Sequence, residues 1–195
     1  MKRLLLLCFL CLPIFAGAAN CEITDKALCE AAEKGDEHAQ ISLGVMYYHG
    51  QGVGQDFNKS FQWLKIPATS GNADAQSFLG LMYFYGQGVR QDYQQSIYWF
   101  KKSADQGNAI AQGLLGSMYY LGQGVKQDYH QAFKWIKKSA DQGNAIAQSD
   151  LARLYFYGEG VRQNKSFAKT LFGQSCDNGY QVGCDEYRKM NESGY

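Results

Sequence analysis

The sequence predicts an all-α protein, a right-handed α-solenoid of helix hairpins. Three observations lead to this prediction: the chain repeats itself, each repeat contains two segments of helical periodicity, and a glycine-rich loop separates those segments. A hairpin with one apolar side can bury that side only by stacking on its neighbours. A continuous stack of hairpins is therefore the expected architecture.

The repeat starts at a glycine, and its period follows from the spacing of these glycines. Four similar blocks of 36 residues begin at Gly35, Gly71, Gly107 and Gly143, and a half block follows Gly179. An internal period of this length is typical of helical solenoids. The expected organisation is a signal peptide 1–19, an N-terminal cap helix 20–34, four repeats 35–70, 71–106, 107–142 and 143–178, and a C-terminal cap helix with its tail 179–195.

The first segment of each block, helix A, has one constant apolar side. Counted from the first glycine of each block, the fifth residue is alanine, the ninth is leucine and the thirteenth is tyrosine, as in Ala75, Leu79 and Tyr83. A spacing of four residues places side chains on one face of an α-helix. Glycine within a helix costs about 1 kcal/mol relative to alanine, so a recurring glycine on helix A predicts the close approach of another helix. These positions are Gly44, Gly80, Gly116 and, in the last block, Ala152.

A glycine-rich loop and a second helical segment, helix B, complete each block. Glycines such as Gly86 and Gly88 end helix A because glycine adopts the positive φ of a chain reversal. Aspartates then offer caps for helix B, and Pro67 is expected to disturb the end of the first helix B. The capping residues are Asp56, Asp92 and Asp128, and one position of helix B holds Trp63, Trp99, Trp135 or, in the last block, Leu171.

These motifs resemble the Sel-one-like repeat, a relative of the tetratricopeptide repeat. The resemblance is carried by the A-x-A-Q-x-x-L-G-x-x-Y helix that begins at Ala73, the Y-x-G-x-G-V loop that begins at Tyr85 and the D-Y-x-x-(A/S)-x-x-W helix that begins at Asp92. It implies a tetratricopeptide-like superhelix. The spacing of Cys176 and Cys184 is also similar to that of the exported Helicobacter cysteine-rich proteins, some of which are described as penicillin-binding or β-lactamase-like.

Composition and charge exclude several classes of protein. With 46% hydrophobic and 19% charged residues, the chain of 195 residues is globular. Its net charge of +1 gives no reason to expect a nucleic-acid partner. His38, His49 and His130 fall at three different repeat positions without ligand partners at helical spacing, so no metal site is expected. We also expect no cofactor, and a monomer.

The N terminus is typical of a secretory signal peptide. Met1, Lys2 and Arg3 precede an apolar run that is shorter than the roughly 20 residues of a membrane-spanning helix, and small residues follow at 16–19. No later stretch is apolar enough to span a membrane. We therefore expect a periplasmic or secreted protein.

Four cysteines remain after signal removal: Cys21, Cys29, Cys176 and Cys184. An even number of cysteines in an exported chain predicts disulfide bonds. Three connectivities are possible. Each local pair is eight residues apart, about 12 Å as continuous helix, so each local bridge needs a chain reversal. Gly179 supplies one for the second pair. Long-range pairing conflicts with the solenoid, because the stacked helices separate the two ends by tens of Å.

One short motif suggests catalysis. Ser166 and Lys169 match S-x-x-K, and on a helix this spacing places hydroxyl and ammonium one turn apart, where a lysine can activate a serine. Neither S-D-N nor K-T-G follows, and Ser166 occupies a variable repeat position. Weak penicillin-binding or β-lactamase-type activity is thus the alternative, and the expectation is that the protein is no enzyme.

The outer side of helix A changes in every block, whereas the opposite side barely changes. A solenoid separates its binding surface from its scaffold in this way. The variable side is apolar for an outward surface, which favours a protein or peptide partner. Two alternatives stay open: these positions pack against neighbouring helices, or the protein is an adaptor for glycan or membrane-bound machinery. The expected partner-binding residues are Phe78, Leu81, Tyr85, Leu114, Ser117, Leu121 and Arg153.

Overall fold

The computed structural model describes residues 25–194, and this part of the chain contains ten α-helices and no strand. The expected signal peptide and Cys21 lie outside the described residues. The helices are α1 (Lys26–Glu33), α2 (Glu37–His49), α3 (Phe57–Ser70), α4 (Ala73–Tyr85), α5 (Tyr93–Asp105), α6 (Ala109–Leu121), α7 (Tyr129–Asp141), α8 (Ala145–Tyr157), α9 (Lys165–Asp177) and α10 (Gln181–Glu192).

Consecutive helices pack against each other along the whole described chain. The A helices are α2, α4, α6 and α8, the B helices are α3, α5, α7 and α9, and α1 and α10 cap the two ends. The predicted all-α solenoid is confirmed. Between residues 25 and 194, no helix combines the length and the apolar composition needed to cross a membrane.

Each helix A begins at a side-chain cap and ends at a glycine. The caps accept a hydrogen bond from the backbone N–H three residues further on, as Asn72 does from Ala75 at 3.0 Å. At the other end of α4, Gly86 has a φ of +71°, as the sequence predicts. Gly88 lies against the first turn of α3, where a Cβ would meet the Phe57 carbonyl oxygen. The loop therefore needs glycine at both positions.

Helix B begins at the predicted aspartates. The Asp92 carboxylate accepts hydrogen bonds from the N–H groups of Gln94 and Gln95 at 2.9 and 3.0 Å, and Asn164 provides the equivalent cap of α9. The prediction that Pro67 disturbs the end of α3 is wrong, because α3 continues to Ser70. Proline removes one backbone donor, and the last turn still closes through hydrogen bonds to the Pro67 carbonyl.

Within residues 25–194 the core consists of four apolar clusters, each shared between a hairpin and a neighbouring hairpin or cap helix. One of them joins Leu64 and Ala68 of α3 to Leu79 and Met82 of α4 and to Trp99 of α5. Full burial of a side chain such as leucine stabilises the fold by roughly 1.5–3 kcal/mol. The apolar side of each hairpin is thus covered by the next hairpin, which is the arrangement that the repeat predicts.

The glycines on the A helices mark close helix contacts, as predicted. A Cβ on Gly80 would lie 2.5 Å from Cδ1 of Phe100 in α5. A Cβ on Gly116 would lie 2.5 Å from Cγ1 and 2.9 Å from the backbone nitrogen of Ile136 in α7. These distances are too short for a larger side chain, so glycine here lets helices A and B of one hairpin approach each other.

Buried and partly buried hydrogen bonds join the helices of the second, third and fourth hairpins, and sequence reasoning missed them. The Ser103 hydroxyl donates to the Ala73 carbonyl at 2.6 Å. Its neighbour Gln106 donates to the side-chain oxygen of Gln76 at 2.8 Å, and Gln76 donates to the Ala68 carbonyl at 3.0 Å. The serine bond recurs as Ser139 to Ala109 and Ser175 to Ala145, both at 2.6 Å. Satisfied buried polar groups of this kind specify one packing arrangement.

A disulfide bond closes the C-terminal end of the stack. Cys176 of α9 and Cys184 of α10 are bonded, with their Cα atoms 4.5 Å apart. The chain reverses between them at Gly179, whose φ is +86°. This local bridge is the one predicted for the second pair. Cys29 is also disulfide-bonded, and the pairing predicted for Cys21 concerns a residue outside the described part of the chain.

Candidate partner-binding surface

The variable side of helices α4, α6 and α8 forms one stripe, which we name the A-helix face. Its residues occupy the fourth, eighth, eleventh and fifteenth positions of their blocks and include all seven residues predicted to bind a partner. They are Asp74, Phe78, Leu81 and Tyr85 on α4, Ile110, Leu114, Ser117 and Leu121 on α6, and Ile146, Asp150, Arg153 and Tyr157 on α8.

Large apolar side chains of the A-helix face are exposed near both ends of its helices. At the C-terminal ends of the three helices, Tyr85, Leu121 and Tyr157 are 58%, 59% and 62% exposed. At the N-terminal ends of α6 and α8, Ile110 and Ile146 are exposed as well. The A-helix face therefore carries two rows of apolar side chains that the fold leaves in contact with solvent.

The middle of the stripe is half-buried, which differs from the sequence expectation of outward anchors. The Phe78 ring packs edge-on against the Tyr48 ring of the preceding hairpin, with centroids 5.4 Å apart. Leu81 and Leu114 pack on the cluster around Phe100. Adjacent A helices are close enough for these side chains to reach their neighbours, so part of the apolar arc is used for packing.

A groove between α6 and α8 contains three of the predicted residues. Its cavity of about 160 Å³ is lined by Ser117, Tyr120, Leu121, Ile136, Asp150, Arg153 and Leu154. The Asp150 carboxylate lies 3.8 Å from the Arg153 guanidinium. Burial raises the pKa of the Asp150 carboxyl, and the charge of Arg153 opposes that shift. The groove thus combines an apolar floor with one pair of opposite charges.

Tyrosine hydroxyls connect helix A of one repeat to the loop of the next, a contact that the sequence did not indicate. Tyr120 donates to the Glu159 carboxylate at 3.0 Å, and Tyr48 donates to the Gln87 side chain at 2.8 Å. Burial and then the hydrogen bond to Glu159 raise the pKa of the Tyr120 hydroxyl. The Tyr120 bond holds a residue that lines the α6–α8 groove.

A second groove lies between α8 and the cap helix α10. Its cavity of about 370 Å³ is lined by Arg153, Phe156, Tyr157, Phe172, Val182, Glu186, Lys189, Met190 and Ser193. Arg153 and Tyr157 belong to the A-helix face. Arg153 lines both grooves, so its guanidinium is the charged group that the two cavities share.

The alternative catalytic pair lies on α9 and lines neither groove. Ser166 is exposed, and its carbonyl oxygen accepts a hydrogen bond from the Thr170 hydroxyl at 3.3 Å. The Lys169 ammonium lies 5.9 Å from the centre of the Tyr187 ring in α10. Over residues 25–194, no three His, Cys, Asp or Glu side chains are grouped closely enough to hold a metal ion.

The comparison with known families agrees with this geometry. The Sel1 repeat matches the chain four times, over residues 37–72, 73–108, 109–144 and 145–180. The period is the predicted one, in a frame that begins two residues after each opening glycine. The chain therefore belongs to the Sel1 repeat family of helical solenoid scaffolds.

Solved structures with the same fold support the assignment. A protective antigen of uropathogenic Escherichia coli strains superposes with a TM-score of 0.78 at 36% identity, covering 86% of this chain and 36% of that protein. A Sel1 repeat protein from Oxalobacter formigenes gives 0.74 at 32% identity, covering 79% and 63%. Cysteine-rich protein B of Helicobacter pylori gives 0.54 at 19% identity, covering 66% and 95%, a likeness of fold alone.

This chain spans little more than a third of the Escherichia coli protein and under two thirds of the Oxalobacter protein. No curated protein matches the chain.

Proposed function

We propose that the protein is an exported scaffold that binds a protein or peptide segment along the A-helix face. The observation that carries this proposal is the row formed by Tyr85, Leu121 and Tyr157, all more than half exposed at one repeat position of successive helices. Exposed apolar surface on a folded protein favours a partner. An ordered row of such side chains favours an extended partner over a compact one.

The spacing of the row suits an extended segment. Packed helices lie about 8–10 Å apart, and an extended chain rises about 3.3 Å per residue. Successive A helices such as α4 and α6 contact each other less closely than paired helices do, so an extended segment that crosses α4, α6 and α8 meets a new anchor at intervals of about three residues or more. Apolar side chains at that interval would face the row, and the residues between them would face solvent.

The α6–α8 groove supplies orientation. Its cavity of about 160 Å³ suits a single apolar side chain, with Leu121 on one wall. Arg153 and Asp150 at the rim offer a donor and an acceptor to the backbone of a bound segment. Rim charges of this kind set register and on-rate more than affinity, so the main contribution to affinity is expected from Leu121 and its neighbours.

Export is part of the proposal. The bonded pair Cys176 and Cys184 fits an oxidising compartment, since cytosolic thiols are kept reduced. Segment 1–19 begins with charged residues, continues with an apolar run and ends with small residues, which is the order found in secretory signals. The two together support a periplasmic or secreted scaffold.

The test is selection of peptides from a random phage-displayed library on the full mature chain, followed by calorimetry of a selected peptide. Leu121→Ala should weaken binding about thirtyfold, equivalent to about 2 kcal/mol, because Leu121 lies in both the exposed row and the groove. The matched control is Tyr98→Ala, which removes an exposed aromatic ring from helix B of the second repeat. Peptides that depend on Tyr98 and ignore Leu121 would refute the A-helix face.

A further inference from the structure

The fourth repeat lacks an indole ring that the other three repeats contain. Trp63, Trp99 and Trp135 occupy one position of helix B, and Leu171 occupies it in α9. The core clusters show the equivalence directly. Trp135 packs against Ala104 and Leu115 in one cluster, and Leu171 packs against Ala140 and Leu151, the same repeat positions, in the next.

The floor of the core is buried in every repeat and is slightly more exposed where the indole is missing. Ala140 is 6% exposed against 1% for its equivalent Ala104, and Leu151 is 3% exposed against 1% for Leu115. A cavity of about 580 Å³ opens above this floor, which we name the fourth-repeat groove. Its principal lining residues are Ala140, Gln148, Leu151, Tyr155, Phe167 and Leu171.

A groove of an earlier repeat shares three lining positions with the fourth-repeat groove, those of Lys137, Tyr155 and Phe167, and otherwise extends toward the loop. Between α3 and α5, a cavity of about 670 Å³ is lined by Phe61, Tyr83 and polar loop residues around Arg90. The floor positions Ala68 and Leu79 are not part of its lining, because Trp99 packs over them. The fourth-repeat groove therefore reaches the core at the repeat position where leucine replaces tryptophan.

The walls of the fourth-repeat groove suit an aromatic ring. Phe167, which replaces the Gln131 of the third repeat, is partly exposed, and its ring meets the Tyr155 ring edge-on at 4.8 Å. A flat ring placed on Leu171 can therefore pack against two aromatic neighbours. The rim is polar, with Lys137 and Asp141 paired at 2.7 Å.

One rim residue favours indole over a simple phenyl ring. Gln174 takes the position at which Lys138 lies 4.3 Å from the centre of the Trp135 ring. The exchange of lysine for glutamine replaces a side chain that only donates hydrogen bonds by one whose carbonyl oxygen can accept a hydrogen bond from an indole N–H. Across residues 25–194, Trp63 and Trp99 bury their own N–H groups without any hydrogen-bond partner.

We propose that the fourth-repeat groove binds an indole ring, supplied by a tryptophan side chain of a protein partner. The incoming ring lies on Leu171 and Leu151, beside Phe167, where the chain's own tryptophan lies in each preceding repeat. Gln148, Leu151 and Tyr155 are on the side of α8 opposite to Asp150 and Arg153. The site is therefore separate from the A-helix face and does not depend on it.

The experiment titrates a fluorine-labelled indole into the full mature chain, with its disulfides intact, and follows fluorine NMR. Saturable binding to one site is expected, with a dissociation constant on the order of 1 mM for so small a ligand. Leu171→Trp combined with Phe167→Gln gives α9 the Trp135 and Gln131 pair of the third repeat. This variant should bind at least tenfold more weakly, because its own indole fills the groove.

The reciprocal change is Trp135→Leu combined with Gln131→Phe and Lys138→Gln, which gives the third repeat the three residues of the fourth-repeat groove and should raise the stoichiometry from one to two. If circular dichroism shows that this triple variant does not fold, the comparison of the wild type with the tryptophan-filled variant still decides. Equal binding by those two proteins, or no saturable binding by the wild type, would overturn the proposal.

The source of the ring is tested by competition. N-acetyltryptophanamide, which is blocked at both ends like a residue within a chain, should displace the labelled indole. Displacement by unlabelled indole alone would show a site for the free small molecule and would refute a protein partner. Leu121→Ala should leave indole binding unchanged, so failure of this proposal and failure of the proposed function are distinguishable.

Discussion

The third and fourth repeats have the same hydrogen bonds between their helices and differ in the apolar side chains that pack between them. The serine hydrogen bond of 2.6 Å is present in both, from Ser139 to Ala109 and from Ser175 to Ala145. The side-chain amide bond is present too: Gln142 donates to Gln112 at 2.7 Å, and Asn178 donates to Gln148 at 2.8 Å. The apolar filling is not shared, because leucine replaces the tryptophan of helix B.

This difference shows that the hydrogen bonds between the helices and the apolar side chains packed between them are specified by different residues. On its C-terminal side the fourth repeat packs on the single described helix α10, whereas the third repeat packs on a complete hairpin, and the contact with α10 is secured by the bridge between Cys176 and Cys184. A covalent link reduces the amount of apolar burial that the last hairpin needs for stability. The end of the stack is thereby free to keep a groove where the central repeats keep a filled core.

The largest effect is expected from the close contact within the third hairpin. Gly116→Leu should lower the free energy of unfolding by about 3 kcal/mol or more, because the new side chain meets the backbone of Ile136 and cannot be accommodated by a rotamer change. Ile110→Leu, an exposed change on the same helix, should alter stability by less than about 0.5 kcal/mol. Equal denaturation midpoints for both variants would contradict a tight interface between α6 and α7.

The next effect concerns the bridge that the third repeat lacks. Replacing Cys176 and Cys184 together by alanine should cost about 2–3 kcal/mol, the value expected for a short closed loop. Hydrogen exchange should become faster first in α10, while α6 and α7 keep their protection. Uniform loss of protection along the solenoid would show that the two repeats do not differ in this way.

The smallest effect comes from Asp150, which takes the position of Leu114. Burial raises the pKa of this carboxyl in the folded state, so the folded protein favours the neutral form. Stability is then lost as the pH rises from the ordinary aspartate pKa through the raised one. Asp150→Asn should raise the Tm at pH 7 and leave it nearly unchanged at pH 3. A Tm difference between the two proteins that is larger at pH 3 than at pH 7 would contradict a raised pKa of Asp150 in the folded state.

Much of this architecture is visible in the sequence because it depends on local rules. Asp92 as a cap, Gly86 as a helix end and Gly80 as a contact point each follow from the conformational preference of one residue type. The period of 36 residues then places every such residue again in the next block. Ser103 was missed because a serine within a helix gives no signal about a carbonyl 30 residues away.

The binding surface was only partly predictable. Helical periodicity placed Tyr85 and Leu121 on an outward face, and both are exposed. The same periodicity placed Phe78 there, and the structure packs its ring against Tyr48. Periodicity reports the direction of a side chain from one helix axis, and it contains no information about the distance to the next helix.

The sequence by itself determined the class of fold, the caps and glycines at most helix ends and the local disulfide, because caps, glycines and a short-range chain reversal act within a few residues. Only the tertiary structure decided which variable residues remain exposed, where Arg153 borders two grooves, and that Leu171 leaves the core open beneath Phe167. Those features depend on gaps between side chains of separate helices, and such gaps exist only once the helices are packed.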